Sequence, residues 1–303
     1  LHLSLRRQRQ MCIRDSTCRA LIKLLTGSYI KTGAQSAAKI PKAIPFLFVI
    51  ACTVSEDVEE SSVAWDATNY TMFNEFMECA PGEDFSEELM MQMIADWRDI
   101  GLSDSLLGSW GYAPASENNT LTNREWELSW TSKEDADLAW SEWMASEDAK
   151  AWGDKYASVL QCDSENRNGY EFVFPYNPYN FGPTSKDGTF AANFMPCTLN
   201  DGMDQTSLSN GVIAYNNWLD ALDSDAVGGF YAYGVYVPVD PESEFDYWFG
   251  NFHINMDGMT TGMALWDETG GTAKEELENA GTCANPEIFQ GQVFYDPANP
   301  DFS

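Results

Sequence analysis

Histidine and positive charge are scarce in this sequence. It has two histidines among 303 residues, and 17 lysines and arginines against 47 aspartates and glutamates. Nine of the basic residues precede Cys52, so eight bases face 46 acids from Cys52 onward. A surface this acidic repels nucleic acid and anionic headgroups, which makes both poor partners. The pattern predicts a solubilising surface rather than a cation-binding one, although it would also suit cationic ligands.

Recognisable metal and catalytic motifs are also missing. No Cys-X-X-Cys pair occurs, and His253 is the single histidine after Cys52, so the cysteines do not resemble a zinc site. The sequence has no nucleophile elbow, phosphate loop or EF-hand pattern. It therefore predicts no metal site and no cofactor.

The sequence of residues 1–51 indicates a leader segment that is not part of the folded domain. Residues 4–16 resemble translated sequencing-adapter read-through, and we expect them to be artefactual. Two lysines at 39–42 precede an apolar run at 43–51 that is too short to span a bilayer, which is typical of a secretory signal. Val49-Ile50-Ala51-Cys52 resembles a bacterial lipobox, which implies cleavage before Cys52 and acylation of its thiol. The alternative is an apolar strand with a core cysteine.

The resemblance to a lipobox also implies a cellular location for the protein. Thr53 stands where an aspartate would favour inner-membrane retention, so it implies the outer membrane. Residues 52–70 are acidic and serine-containing, which predicts a flexible tether. We expect a bacterial envelope protein on the periplasmic face of the outer membrane, attached to the membrane by its lipid alone.

A repeat of roughly 120 residues is the strongest pattern in the chain. Landmarks recur in the same order at a slowly drifting offset. The matched pairs are Phe76 to Cys79 with Phe194 to Cys197, Trp97 with Trp218, Trp126 and Trp130 with Trp248 and Phe252, Trp143 with Trp266, and Cys162 with Cys283. Periodicity predicts β-α-β-β-α-β in each copy, the ferredoxin-like order. The predicted boundaries are 71–175 for repeat 1, 176–188 for a linker and 189–297 for repeat 2.

This order makes a prediction about the cysteines. In a ferredoxin-like sheet the end of the first strand lies beside the start of the last, because the two are antiparallel neighbours. Cys79 and Cys197 end first strands, and Cys162 and Cys283 precede last strands. The fold therefore predicts Cys79–Cys162 and Cys197–Cys283 bridges, which suit an oxidising compartment.

Tandem repeats with tryptophan-rich second helices, as at 130–152, resemble the dimeric α+β barrel superfamily. The resemblance implies an α+β fold in which two ferredoxin-like repeats pack as an intrachain barrel, so that a monomer contains an internal pseudo-dimer. That superfamily includes monooxygenases and haem enzymes, and its fold alone does not select a function.

Side chains alternate between the two faces of a strand, and this alternation indicates which residues face the space between the repeats. We expect Glu127 and His253 to be the candidate acid–base pair there, with His253 a poor haem ligand because it lies on a predicted strand. The ligand-cleft candidates are Glu75, Asn193, Tyr247, Phe249 and Asn251. The alternative interpretation is a hydrogen-bonded structural histidine and a solvated glutamate.

Two functions remain open at this point. The first is a non-catalytic envelope lipoprotein that binds a small apolar or aromatic ligand, or a partner protein, between its repeats. The second is an enzyme of the α+β barrel monooxygenase type that uses the same cleft. The many aromatic residues and the few titratable candidates favour the first.

Overall fold

One order of elements occurs twice along the chain. The computed structural model describes residues 71–297. Repeat 1 comprises β1 (Met72–Pro81), α1 (Glu87–Asp99), β2 (Leu106–Pro114), β3 (Arg124–Trp130), α2 (Lys133–Ala145), α3 (Glu147–Tyr156), β4 (Leu160–Cys162) and β5 (Asn168–Val173). Repeat 2 comprises β6 (Thr189–Leu199), α4 (Gln205–Asp220), β7 (Tyr231–Pro238), β8 (Tyr247–His253), α5 (Met256–Thr269), α6 (Gly271–Ala280), β9 (Gly281–Cys283) and β10 (Glu287–Tyr295).

Side-chain caps determine where five of these helices begin. Each capping side chain accepts a hydrogen bond from the backbone N–H three residues later, which satisfies one of the unpaired donors of the first turn. The caps are Ser86 for α1, Ser132 for α2, Ser146 for α3, Asp204 for α4 and Asn255 for α5. Ser146 ends α2 as it begins α3, and Gly270 ends α5 as it begins α6. The single second helix predicted for each repeat is therefore two helices in both repeats.

The strands form one sheet that closes on itself. Their order is β10-β2-β3-β1-β5-β7-β8-β6, and β6 pairs back with β10. The last long strand of each repeat pairs with the second strand of the other, β5 with β7 and β10 with β2. The fold is therefore α+β, with two tandem ferredoxin-like repeats packed as an intrachain barrel. The repeats share one continuous sheet.

Side-chain alternation gives the barrel an inner and an outer face. The inner face is aromatic, and Phe76 lies at its centre with its ring 5.6 to 6.1 Å from those of Tyr112, Tyr170, Phe194 and Tyr236. The outer face of each repeat packs under that repeat's own helices, in two separate hydrophobic clusters. Residues 71–297 thus form three cores, one of which is built jointly by both repeats.

Both predicted disulfides are present. Cys79 lies opposite Cys162 in the β1–β4 pairing, and Cys197 lies opposite Cys283 in the β6–β9 pairing. The short strands β4 and β9 hold the second cysteine of each pair beside the end of the first strand. Within residues 71–297, no helix has both the length and the apolar character of a membrane span. The leader, the tether and Cys52 lie outside the described residues.

Candidate functional site

Glu127 on β3 places a fully buried carboxyl group in the barrel interior. Its side chain is 1% exposed. Oε1 accepts hydrogen bonds from Asn74 Nδ2 at 2.6 Å and from the Tyr236 hydroxyl at 3.0 Å, while Oε2 accepts from the Tyr112 hydroxyl at 2.5 Å. Tyr236 belongs to repeat 2 and the other three residues to repeat 1, so the cluster forms only when the repeats close the barrel.

Burial dominates the electrostatics of this cluster. It raises the pKa of Glu127 to about 7, although the bonds from Tyr112, Asn74 and Tyr236 act in the opposite direction by stabilising the charged form. Burial, together with the neighbouring Glu127 carboxylate, also raises the pKa values of Tyr112 and Tyr236, so both keep their hydroxyl protons. A carboxyl with a pKa near 7 can either accept or donate a proton at neutral pH.

A cavity of about 250 Å³ opens beside Glu127 at one end of the barrel. Its walls are aromatic, and its polar lining near Glu127 consists of Asn74, Ser129 and the two tyrosines. Ser129 donates to Asn74 Oδ1 at 2.8 Å, which orients the amide towards the carboxyl. Five linker residues also line the cavity: Pro178, Tyr179, Thr184, Ser185 and Gly188. The volume lies just below the range of roughly 300–1,000 Å³ that holds drug-sized ligands, so it suits a smaller molecule.

The structure separates the candidates predicted from the sequence. Glu127 faces the barrel interior as predicted, but the other six candidates face outwards, towards the helices. Those six are Glu75, Asn193, Tyr247, Phe249, Asn251 and His253. Glu127 and His253 therefore do not share a cleft, and the expectation that they form an acid–base pair is wrong.

The sequence alignment of the two repeats is shifted by one residue on β8, and this shift explains why the β8 candidates were assigned to the wrong face. Phe76 pairs with Glu127 in repeat 1, and its counterpart Phe194 pairs with Gly250 in repeat 2. The structural equivalent of Trp130 is therefore His253, whereas the sequence comparison matched Trp130 with Phe252. Because side chains alternate, this shift by one residue moved every candidate on β8 to the opposite face.

Glu75 and Asn193 are equivalent residues on the outer faces of β1 and β6. Glu75 Oε2 accepts from the indole N–H groups of Trp130 at 3.0 Å and Trp140 at 2.7 Å, and Oε1 pairs with Arg167 at 2.9 Å. Asn193 Oδ1 accepts from Asn251 at 3.0 Å. Both side chains hold the sheet to the layer of helices.

His253 is a buried histidine on the outer face of repeat 2. It is 3% exposed, and burial lowers its pKa to about 4, so it is neutral at pH 7. Among the described residues, its Nδ1 is buried without a hydrogen-bond partner. The cavity beside it measures about 150 Å³. That volume is below the roughly 300–1,000 Å³ of drug-sized ligand pockets, so these residues do not fit a haem.

Sequence reasoning missed Asn74, Tyr112 and Tyr236. The alternation of β1 carried the signal for Asn74, since Phe73, Met77 and Cys79 all lie on the helix side and place the even-numbered residues inside. Tyr236 had no local signal, because it meets Glu127 across 109 residues of chain. Within residues 71–297, no cluster of three or more histidine, cysteine or acidic side chains is arranged to hold a metal ion.

Comparison with known proteins yields similarity of structure only. No family model and no curated protein sequence matches the chain. A candidate monooxygenase from Lactobacillus acidophilus NCFM is 9% identical, with 74% of this chain and 95% of that chain covered and a TM-score of 0.47. An anthrone oxidase-like protein is 10% identical, with 76% and 93% covered and a TM-score of 0.47. Chlorite dismutase from Candidatus Nitrospira defluvii is 9% identical, with 75% and 93% covered and a TM-score of 0.43. At these scores the similarities carry no argument about activity.

Proposed function

We propose that this protein is a bacterial envelope lipoprotein that binds a small aromatic or apolar ligand inside its barrel, at Glu127. The observation that carries the proposal is a fully buried carboxyl at the polar end of an aromatic-walled cavity. Burial of a carboxyl group is costly even with hydrogen bonds, and groups with strongly shifted pKa values cluster at functional sites. The ligand is smaller than a drug molecule and carries one hydrogen-bond donor.

The donor follows from the number of acceptor positions on the carboxylate. An ionised carboxylate offers about four, and Glu127 uses three of them for Asn74, Tyr236 and Tyr112. One position on Oε2 remains for a ligand hydroxyl or N–H. Bonds to charged groups are worth about 1.5–3 kcal/mol, so this contact would select hydroxylated over plain aromatic compounds.

Envelope placement is supported by the two disulfides, which form and persist in oxidising compartments. The lipid anchor at Cys52 lies outside the described residues and rests on the lipobox resemblance. Mass spectrometry of the protein purified from bacterial membranes tests it. We expect an N-terminus at Cys52 carrying a diacylglycerol group, and an unmodified Cys52 would contradict the anchor.

The binding test uses 2-naphthol, a two-ring aromatic with one hydroxyl, and naphthalene as its matched control. We expect 2-naphthol to bind the wild-type protein, and Glu127→Gln to weaken it about tenfold while changing naphthalene binding less than twofold. Ala232, which lines the cavity, offers a variant that fills it: Ala232→Leu should weaken both compounds. Equal binding of 2-naphthol to all three proteins would contradict the proposal.

The alternative function is an enzyme of the α+β barrel monooxygenase type that uses the same interior. The pKa of about 7 at Glu127 favours it, because general acid–base groups work best near the operating pH. Glu127 would then move a proton at a substrate hydroxyl while Tyr112 and Tyr236 hold its carboxyl in place. Turnover of a bound aromatic alcohol that disappears in Glu127→Gln would select the enzyme over the binding protein.

A further inference from the structure

A second large cavity lies outside the barrel, between the helices of repeat 1 and the outer face of β1 and β3. It measures about 600 Å³, within the range that holds drug-sized ligands. Tryptophan dominates its lining, with contributions from α1, β3, α2 and α3. The six tryptophans are Trp97, Trp126, Trp130, Trp140, Trp143 and Trp152. The corresponding cavity in repeat 2 has a quarter of this volume, about 150 Å³.

Neighbouring tryptophan rings in this lining meet edge to face. Trp97 and Trp126 meet at 81°, Trp126 and Trp152 at 76°, and Trp143 and Trp152 at 74°, with ring centroids 5.2 to 6.4 Å apart. In each of these pairs the edge of one indole lies against a face of the next, so the rings line the cavity in more than one orientation. Each ring face carries the negative part of the aromatic quadrupole, which attracts a cation.

The surroundings add negative rather than positive charge. The residues that line the cavity include no lysine or arginine, and the one charged side chain among them is Glu142. The two cations that contact its outer rings are already paired. Arg167 lies 4.3 Å from the Trp140 ring centroid and is bonded to Glu75, and Lys155 lies 4.7 Å from that of Tyr156 and is bonded to Asp96. The chain as a whole has a formal charge of −30.

We infer that this cavity is a binding site for an organic cation of the quaternary ammonium class. The tryptophan lining supplies cation–π attraction, and Glu142 together with the acidic surface supplies long-range attraction. An alkylated ammonium also buries its carbon substituents against the rings, which a small hydrated metal ion cannot do. The site is separate from the barrel interior and does not depend on Glu127.

Choline and 3,3-dimethyl-1-butanol provide the test, because they have the same shape and differ in charge. Titration into the full-length wild-type protein, followed by calorimetry and by tryptophan emission, should show choline binding about 10- to 30-fold more tightly than the neutral compound. Equal affinities would overturn the inference, because they would indicate an apolar pocket without preference for charge. Failure of choline to bind at tens of millimolar would overturn it as well.

Variants locate the site. Within residues 71–297 the Trp143 indole makes no side-chain hydrogen bond, and its backbone carbonyl accepts from Ser146 N–H whatever the side chain. Trp143→Leu therefore removes one wall without breaking a bond and should lower choline affinity at least tenfold. Its sequence counterpart in repeat 2 offers the matched control, and Trp266→Leu should leave choline affinity unchanged. Glu142→Gln changes an exposed side chain, cannot disturb packing, and should lower affinity severalfold at low salt. Unchanged choline affinity in both Trp143→Leu and Glu142→Gln would overturn the assignment, and Ala232→Leu should not affect it.

Discussion

Replacing Glu127 by glutamine should change how the stability of the protein depends on pH. Burial raises the pKa of Glu127 from 4.5 to about 7 in the folded protein. Between these values the folded state binds a proton that the unfolded state has lost, so the free energy of unfolding falls as pH rises. Protonation stabilises the folded form fully below pH 4.5, and this contribution is gone above pH 7. Its size is about 3 kcal/mol, since one pKa unit corresponds to ~1.4 kcal/mol.

The assay is urea unfolding of the wild-type protein and of Glu127→Gln at intervals from pH 4.5 to 8.5. Glutamine has the shape of the protonated side chain and does not titrate. The wild-type free energy of unfolding minus that of the variant should fall by about 3 kcal/mol between pH 4.5 and 7 and stay constant above. Glu125, whose pKa burial and the nearby Glu78 raise to about 8, titrates in both proteins and cancels in the difference. A flat difference, or one that rises with pH, would refute the conclusion that burial outweighs the three hydrogen bonds of Glu127 and raises its pKa.

Three further changes have defined outcomes. The pKa of His253 falls from 6.5 to about 4 on folding, so the free energy of unfolding of the wild-type protein rises by about 3 kcal/mol as pH increases across that window. His253→Phe should remove this dependence on pH, which is opposite in sign to that of Glu127. Urea unfolding of both proteins at pH 4 and 7 checks this. Replacing Cys79 and Cys162 together by alanine should cost about 4 kcal/mol in the chain-entropy model, since the bridge closes a loop of 83 residues; an unchanged urea midpoint would count against it. Gly234→Ala places a methyl 2.2 Å from the Phe172 ring and should destabilise by about 1–3 kcal/mol, whereas Gly153→Ala, with open space around it, should stabilise by up to about 1 kcal/mol.

The repeat and the cysteines made the fold predictable. Landmarks such as Cys79 and Cys197 lie at strand ends, so their spacing specified the strand order and, through it, both bridges. These features depend on the order of elements, which tolerates an error of a residue or two. The closed sheet was harder to foresee, because the pairing of β5 with β7 and β10 with β2 joins strands from different repeats.

The site was predictable only in part. Glu127 was identified because Trp126, Leu128 and Trp130 define the helix side of β3, which leaves Glu127 inside. On β8 the large residues Trp248 and Phe252 face the barrel instead, so hydrophobicity does not distinguish its two faces. Both sides of that strand are buried, and a pattern of alternation then carries no information about which side is which. The pairing of Phe194 with Gly250 in the structure shows which face of β8 lines the barrel.

A crystal structure of the protein in complex with 2-naphthol tests the central claim most directly. The account predicts the two rings in the cavity at the end of the barrel, with the hydroxyl oxygen roughly 2.6–3.2 Å from Glu127 Oε2. Tyr112 and Tyr236 should keep their bonds to the same carboxyl. A saturated crystal in which 2-naphthol lies elsewhere and this cavity is filled by the protein's own side chains would contradict it.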